Sequence, residues 1–330
     1  MSVDAPAAPY VPPAPTRTLE EHSIRRFWRN GLAFVLVGIL IYLCIYVAAD
    51  QLVYRTAKRN RFFYVKTAQA AKYDVVILGA SHAAVFDYED MNAQLEQMTG
   101  KKIVNLSIVG SGVTVNRLLL DYFLAQHQTM RVIYFLDTFA FTSKDWNEAR
   151  LQDVRLFDRA PFDPLLVRML WQNPVSRSTA LDYTLGFSKI NNADRFKPDI
   201  TDDETKFKTT YRPVKQIDTQ RINYLYPKPV DQAVFQHYVT EFEEMLRDLA
   251  SRHIQVTVIK PPLPQRMYQM LPNEAEFDAA IKPMLDRNSV EFYDYSLVNN
   301  DEKFFFNPDH LNRTGVLAFF EGYLKNILTY

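Results

Sequence analysis

The stretch Val75-Val76-Ile77-Leu78-Gly79-Ala80-Ser81-His82 joins a short apolar run to a turn of small residues and a serine. Four consecutive apolar residues closed by a glycine are typical of a strand that is buried on both faces of a parallel sheet. A turn directly after such a strand can present a hydroxyl above the sheet, with backbone N–H groups aimed at one point. Taken alone, a serine in this position is more often a turn residue or a helix N-cap.

Short apolar runs alternate with helical periodicities along most of the chain. Strands are predicted at 75–78, 103–106, 132–136, 256–259 and 290–294, and helices at 87–99, 114–126, 234–249, 274–287 (with a break at Pro283) and after a capping Asn312. This alternation predicts an α/β fold of three layers, with a doubly wound parallel sheet between two layers of helices. Ligands of such sheets bind beyond the carboxyl ends of the strands, where Ser81 and residues 105–107 lie.

The N-terminal region differs in composition from the rest. Residues 1–16 carry five prolines among alanines, which predicts a disordered tail that we extend to residue 30. Residues 31–49 contain no charge, and at about 1.5 Å per residue this length crosses a bilayer core. The segment predicts a single transmembrane helix, although Val47-Ala48-Ala49 resembles a signal cleavage site and leaves a cleaved signal peptide as the alternative.

The remainder divides into a linker and one large domain. Residues 50–72 are basic and are predicted as the linker, and residues 73–330 as the α/β domain. Within that domain, residues 140–229 show prolines, aromatics and charges without a clear period. We interpret this segment as a long insertion with local helices.

The composition argues against several classes of function. The 38 basic residues are matched by 38 acidic ones, so charge gives no support for a nucleic-acid partner. Cys44 is the one cysteine, which rules out an intrachain disulfide and a multi-cysteine metal site. His82, Asp309 and His310 lack the spacing of a metal-ligand motif, and no glycine-rich phosphate loop occurs. We therefore expect neither a metal nor another cofactor.

Two further segments can complement the serine. Residues 105–112 follow the second strand and contain Gly110, whose backbone N–H can approach a ligand closely, as an oxyanion donor must. Near the C-terminus, Asn307-Pro308-Asp309-His310 places a histidine on a polar turn before the last helix. A histidine is the usual general base for a serine nucleophile. The other histidines lie before the apolar segment, in predicted helices, or beside the serine.

In this order and on this fold, the motifs resemble the SGNH (GDSL-like) hydrolase superfamily over residues 73–139 and 230–327. The resemblance implies that Ser81 is the nucleophile and His310 the base. It also implies that the N–H groups of Ser81 and Gly110 form the oxyanion hole.

The same resemblance bears on the neighbouring polar residues. Asn105 begins the oxyanion segment and is expected to line the site. His82 adjoins the serine and is a further lining residue, although its side chain is expected to leave the turn in another direction. In the late motif, Asn307 occupies the position of the triad carboxylate.

Three positions depart from the family pattern. Ala80 stands where the family has aspartate, Asn307 stands where it has the triad carboxylate, and Asp137 stands where it has an asparagine that donates to the oxyanion. An asparagine cannot stabilise imidazolium, and in a serine protease that change costs about four orders of magnitude in turnover. Asp309 can replace the missing charge if the loop turns it toward the ring. An ionised Asp137 would repel an oxyanion unless it orients another group.

The resemblance implies a membrane-anchored acyltransferase or esterase that acts on O-acyl groups, O-acetyl above all, of a cell-envelope polysaccharide. Related proteins often work beside a membrane-bound O-acyltransferase, which is the partner we expect. The alternative is a catalytically inactive member that binds carbohydrate, or serves as a scaffold, in a polysaccharide modification or export complex. Asn307 and Asp137 favour this alternative.

The charges around the apolar segment bear on its orientation. Arginines precede it, and a slightly larger group of basic residues follows it: Arg55, Lys58, Arg59, Arg61 and Lys66. By the positive-inside rule this distribution favours a cytoplasmic C-terminal domain. The implied function instead requires that domain outside, so we expect a single-pass protein of the inner (cytoplasmic) membrane with a periplasmic or extracytoplasmic domain.

Overall fold

A computed structural model describes residues 17–57, 60–192, 206–207 and 212–329. The chain divides into two compact units between Ala48 and Ala49. Helix α1 (Arg17–Thr56) supplies all the described residues of the first unit and the beginning of the second. Its stretch His22–Thr56 has a mean hydropathy of 2.7 in its most apolar window and is long enough to cross a membrane. It is therefore a candidate transmembrane helix.

Two segments near this helix differ from the predicted boundaries. Residues 17–30 were predicted as part of a disordered tail but are helical, because neither proline nor glycine interrupts them. The prolines of residues 1–16 lie outside the described residues. The predicted linker 50–72 is largely structured: it contains the end of α1, helix α2 (Arg61–Thr67) and the start of the first strand. Buried Phe62 and Val65 hold α2 against the core.

The second unit is built on a parallel sheet. In the described residues its strands are β1 (Lys72–Leu78), β2 (Ile103–Asn105), β3 (Gln128–Phe135), β4 (Gln255–Lys260) and β5 (Glu291–Asp294). The spatial order is β2-β1-β3-β4-β5 and every pairing is parallel, with Val76 opposite both Val104 and Val132. This is the doubly wound order of flavodoxin-like folds and confirms the predicted fold class.

Helices cover both faces of the sheet. In the described residues they are α3 (Ser81–Ala84), α4 (Met91–Thr99), α5 (Val113–Leu124), α6 (Glu148–Gln152), α7 (Pro164–Gln172), α8 (Arg177–Leu185), α9 (Phe187–Asn191), α10 (Lys215–Leu225), α11 (Gln232–Ser251), α12 (Gln265–Tyr268), α13 (Glu274–Arg287), α14 (Arg313–Phe319) and α15 (Lys325–Thr329). A π-helical turn, Phe320–Leu324, joins the last two.

The two cores follow from the alternation of side chains along a strand. Val76 and Leu78 of β1 belong to the core that α5, α11 and α13 cover. Val75 and Ile77 belong to the core under α4 and α14. Because successive side chains of a strand point to opposite faces, a strand that is apolar throughout must be covered on both sides. The three-layer arrangement follows directly from that pattern.

Most predicted elements are present, and two differ. Asn312 caps α14 as predicted, since its side chain accepts a hydrogen bond from the Gly315 N–H at 2.9 Å. The helix predicted over 87–99 begins only at Met91, because Glu89 has a φ of 54° and interrupts it. In contrast, α13 continues through Pro283, where a break was predicted. Its buried apolar face holds the helix together across that position.

The insertion 140–229 contains α6 to α10 among its described residues. It adds to the main core rather than forming a separate one, since Leu151, Leu166 and Leu170 are fully buried in the core that covers α5. The insertion therefore packs on the same face of the sheet as α5.

Candidate active site

The turn that carries Ser81 requires glycine at position 79. Gly79 has a φ of +143°, and a Cβ there would lie 2.9 Å from both Cβ and the carbonyl oxygen of Phe135. The turn therefore presses directly against β3 and then enters α3, whose first residue is Ser81. Ser111 Oγ donates to the Gly79 carbonyl at 3.1 Å, which ties the turn to the segment after β2. Ser81 is thus held at the carboxyl edge of the sheet.

We expect Gly79→Ala to lower the free energy of unfolding by about 3 kcal/mol, because it combines backbone strain with overpacking. Gly100→Ala is the matched control, since Gly100 also has a positive φ of +67° but has open space where its Cβ would be. Urea unfolding of the two variants should show a clearly smaller loss for Gly100→Ala. Equal losses would show that contact with Phe135 does not constrain the turn.

Asn105 and Gly110 occupy the segment after β2 and have different roles. Asn105 Nδ2 donates to the Ala83 carbonyl at 2.8 Å, and its Oδ1 accepts from the Ser107 N–H at 3.0 Å. Asn105 is buried and clamps α3 to the end of β2, and it is not among the residues that line the cavity of Ser81. Gly110 has a φ of +67° and does line that cavity.

Ser81 opens into a cavity of about 360 Å³, which we call the serine cavity. Its described lining residues are Ser81, Tyr88, Val109, Gly110, Phe139, Trp146, Lys206, Arg221, Tyr224, Leu225, Phe306, Asn307 and His310. Tertiary structure has therefore gathered Ser81, Gly110 and His310 around one space. Among the described residues, the N–H groups of Ser81 and Gly110 donate to no backbone carbonyl, so both remain available to an oxyanion.

Asn307 fixes the orientation and tautomer of His310. Its Oδ1 accepts from the backbone N–H groups of Asp309 at 3.1 Å and His310 at 2.8 Å. Two donors identify this atom as the amide oxygen. The same oxygen lies 3.0 Å from His310 Nδ1. Since it can only accept, Nδ1 carries the hydrogen of a neutral His310 and Nε2 keeps the lone pair that a general base needs.

Asp309 supplies the negative charge that Asn307 lacks. It is 1% exposed, and its Oδ1 lies 3.0 Å from His310 Nδ1. Its Oδ2 accepts a hydrogen bond from Arg221 Nε at 2.7 Å. Burial opposes ionisation, but His310 and Arg221 hold the pKa of Asp309 well below its usual value. The loop therefore turns the Asp309 carboxylate toward the His310 ring. This is the condition under which Asp309 can replace the missing triad carboxylate.

A second histidine packs against the first. The rings of His82 and His310 are stacked, with centroids 4.8 Å apart and planes at 28°. His82 Nδ1 lies 2.5 Å from Asp137 Oδ1, and His82 Nε2 lies 3.5 Å from Asp309 Oδ2. Asp137 thus orients His82, and neither residue lines the serine cavity. Both line a separate cavity of about 30 Å³, so the side chains of Ser81 and His82 do leave the turn in different directions.

The two histidines have opposite pKa shifts. Burial by itself lowers the pKa of His82, but the carboxylates of Asp137 and Asp309 outweigh it and raise the pKa to about 10. Burial lowers the pKa of His310, and the positive charges of His82 and Arg221 add to this effect against the opposing carboxylate of Asp309. At neutral pH the pair therefore consists of a charged His82 and a neutral His310, which is the state in which His310 can accept a proton.

The pKa of His82 predicts a loss of stability at alkaline pH. A group whose pKa is raised on folding stabilises fully below its unfolded pKa of about 6.5, and this contribution is lost as pH rises toward 10. We expect the free energy of unfolding of the full chain in detergent to fall between pH 6.5 and 9, and to fall less in Asp137→Asn. Parallel pH profiles for the two proteins would contradict the pairing of His82 with Asp137.

The same cluster contains three side chains of the kind that bind metal ions. One ligand atom each from His82, Asp309 and His310 lie within 4.8 Å of one another. However, the lone pair of a ring nitrogen lies in the ring plane, and two stacked rings at 28° do not aim their lone pairs at one point about 2 Å from each. Arg221 also holds an oxygen of Asp309. The arrangement fits the handling of protons and not a shared metal ion.

The insertion contributes residues to the site that the sequence did not predict. Arg221 and Tyr224 lie on α10, and Trp146 lies in a 3₁₀ turn, Lys144–Trp146. Trp146 Nε1 donates to the Leu225 carbonyl at 2.9 Å, and its ring packs edge-on against Tyr224. The insertion thereby forms one wall of the serine cavity. No periodicity or motif marks these residues, so only their tertiary contacts identify them.

The chain is similar to solved structures at low sequence identity. No protein-family model matches the chain, and no curated protein shows significant similarity to it. Several solved structures are similar in fold, and in three of them the alignment covers nearly the whole of the solved chain. A protein assigned as an acylhydrolase from Bacteroides fragilis NCTC 9343 shares 10% identity with a TM-score of 0.41, over 80% of this chain and 93% of that one.

The other two structures are similar at the same level. A GDSL-like lipase from Bacteroides thetaiotaomicron VPI-5482 shares 9% identity with a TM-score of 0.40, over 84% and 96% of the two chains. A protein assigned as a platelet activating factor from Streptococcus pneumonia shares 13% identity with a TM-score of 0.38, over 89% and 99%. These values are too low to transfer an activity. The chain's own sheet and side chains define its class, a doubly wound α/β protein with a serine–histidine site at the carboxyl edge of the sheet.

Proposed function

We propose that this protein is a membrane-anchored serine acyltransferase or esterase that acts on O-acyl groups, O-acetyl above all, of a cell-envelope polysaccharide. The observation that carries the proposal is that Ser81, Gly110 and His310 line one cavity although they come from distant parts of the chain. In that cavity, Asn307 Oδ1 lies within hydrogen-bond distance of His310 Nδ1, and the Asp309 carboxylate lies 3.0 Å from the same nitrogen. This combination meets the needs of acyl transfer.

In the first half of the reaction, Ser81 Oγ attacks the acyl carbonyl carbon while His310 Nε2 accepts the hydroxyl proton. The carbonyl π electrons move to its oxygen, where the N–H groups of Ser81 and Gly110 stabilise the charge. The tetrahedral intermediate then expels the alkoxide, which takes the proton from His310 Nε2 and leaves as a sugar hydroxyl. Asn307 Oδ1 keeps His310 Nδ1–H in place throughout, and the nearby Asp309 carboxylate stabilises the imidazolium that forms. The product of this half is acyl-Ser81.

In the second half, an acceptor hydroxyl replaces the departed sugar. His310 Nε2 removes its proton, the oxygen attacks the acyl-Ser81 carbonyl, and collapse of the intermediate returns the proton to Ser81 Oγ. Water as acceptor gives ester hydrolysis, and a sugar hydroxyl gives acyl transfer.

A second function is a binding subunit without catalysis. The observation that favours it is that His310 Nε2 is buried and has no hydrogen-bond partner among the described residues, so Ser81 Oγ does not donate to it in this conformation. Catalytic hydrogen bonds often tighten only once substrate is bound. The Asn307 substitution, which favoured this function in the sequence, carries less weight because Asp309 reaches His310.

The cellular setting is also part of the proposal. Helix α1 would anchor the protein in the inner membrane as a single-pass span, with the α/β domain on the periplasmic or extracytoplasmic side where envelope polysaccharides lie. A membrane-bound O-acyltransferase is the partner that such an anchored domain would serve. Cysteine-accessibility labelling of the α/β domain in intact cells tests its side of the membrane.

A serine-directed fluorophosphonate tests the chemistry. We expect the folded full chain to be labelled at Ser81, identified by peptide mass spectrometry, and Ser81→Ala to take up no label. Ser251→Ala is the control, because Ser251 is an exposed serine at the end of α11 and its loss should leave labelling intact. Absence of label on Ser81 in folded protein would favour the binding subunit instead.

A further inference from the structure

Arg221 enters the serine cavity from the insertion and is held there by two contacts. Its Nε donates to Asp309 Oδ2 at 2.7 Å. Its Cζ lies 5.4 Å from the centroid of the Tyr224 ring, at the distance of a cation–π contact. One contact lies in the guanidinium plane and the other is with an aromatic ring, so together they restrict both the position and the tilt of the group.

The terminal nitrogens of Arg221 are available to a ligand. Among the described residues, the guanidinium makes its hydrogen bond through Nε, and neither Nη atom belongs to the buried polar atoms without a partner. The Nη groups are therefore accessible, on a side chain that lines the serine cavity. Two parallel N–H donors on a rigid plane match the two oxygens of a carboxylate.

The charge of the serine cavity favours an anion. Its described lining residues include the cation Arg221 and no aspartate or glutamate. Asp309 contacts the Nε side of the same guanidinium and already balances part of its charge. A singly charged carboxylate therefore suits the site better than a doubly charged phosphate, which Asp309 would repel more strongly.

The walls of the cavity favour a ring with an apolar face. The aromatic residues that line it are Tyr88, Phe139, Trp146, Tyr224 and Phe306. A volume of about 360 Å³ is within the usual range for small-molecule sites, which combine apolar walls with a few placed polar groups. A sugar ring offers C–H faces to such walls, and a carboxylate at its edge would meet Arg221.

We propose that Arg221 binds a carboxylate of the substrate, so that the site takes O-acyl esters of carboxylated sugars, the uronic acids. This inference rests on the proposed acyl-transfer function and names the substrate class of the same site. Arg221 is accordingly a specificity residue, and it also positions Asp309 through Nε. The insertion that supplies it would then be the segment that selects the polysaccharide.

The test compares two substrates that differ in one group, methyl O-acetyl-glucuronoside and methyl O-acetyl-glucoside. We expect kcat/KM to favour the carboxylated sugar by roughly 10- to 100-fold, the effect of one charge-assisted bidentate pair. In Arg221→Gln this ratio should fall close to one, and in Arg221→Lys it should be intermediate. Arg177→Gln, at the start of α8 in the same insertion and outside the serine cavity, should leave the ratio unchanged.

Several outcomes would overturn the inference. If Arg221→Gln lowers kcat/KM for both sugars equally, Arg221 serves only to hold Asp309. A preference for an acetylated sugar phosphate over the uronoside would assign the guanidinium to phosphate. If neither sugar is turned over and Ser81 takes no fluorophosphonate, the proposed function fails. Calorimetry with methyl glucuronoside then decides the inference by itself, because binding must be present in the wild type and lost in Arg221→Gln.

Discussion

Replacing His310 with alanine should lower kcat for ester hydrolysis by about 10³- to 10⁵-fold, because the variant lacks the base proposed to take the proton of Ser81. Asn307 holds the ring through Nδ1, and the ring lines the serine cavity, so its removal should affect chemistry more than substrate binding. We therefore expect KM for a neutral acetyl ester such as p-nitrophenyl acetate to change by less than about threefold.

Two controls separate catalysis from folding in this experiment. His237→Ala removes an exposed histidine on α11 that lies outside the serine cavity and should retain wild-type turnover. Added imidazole should partly restore activity to folded His310→Ala, since a small base can fill the vacated space. Turnover of His310→Ala within tenfold of the wild type would show that another group removes the proton from Ser81.

Asp309→Asn should lower kcat by about 10²- to 10⁴-fold, approaching the effect of the same change in a serine-protease triad. The physical reason is that Asp309 is the carboxylate in contact with His310 Nδ1, at 3.0 Å, and stabilises the imidazolium that forms when Ser81 is deprotonated. Its loss also removes the partner of Arg221 Nε and a neighbour of His82. The pH at which activity rises should then move downward, because a carboxylate that raises the pKa of His310 has been removed.

Asn307→Asp is the variant to compare with Asp309→Asn. It keeps the oxygen that accepts the backbone N–H groups of Asp309 and His310, and it adds a second negative charge at His310 Nδ1. We expect activity to stay within about tenfold and the rise of activity to move to higher pH. If Asp309→Asn stays fully active while Asn307→Ala is inactive, the amide alone orients the base and the role assigned to Asp309 is wrong. Near-UV circular dichroism confirms that each variant is folded.

Much of the fold could be read from local patterns. The apolar run before Gly79 fixed β1 and its burial on both faces, and the cap at Asn312 fixed the start of the last helix. These features depend on neighbouring residues, so a single sequence contains them. The predicted helix boundaries were wrong where contacts with distant residues determine the structure. Pro283 does not break α13, because tertiary packing of its apolar face outweighs the local preference of proline.

Some residues of the site could be predicted from local motifs, and others could be identified only from tertiary contacts. Ser81, Gly110 and His310 were predicted because each lies in a motif next to a strand end, and the structure places them around one cavity. The geometry of Asp309 could not be predicted, since its side chain reaches the ring only through the turn that Asn307 Oδ1 stabilises. No local sequence pattern identifies Arg221, because its role depends on a hydrogen bond to Asp309, which lies far along the chain.

The sequence by itself determined the class of fold and the identities of the serine and the late histidine, because strand burial and turn chemistry are written in adjacent residues. Only the tertiary structure decided what surrounds them. In the folded protein a charged His82 stacks on His310, and Asp137 orients His82. Asp309 and Arg221 lie beside the base. Those relations are distances between buried groups of opposite or like charge, and they exist only once the sheet has brought its carboxyl ends together.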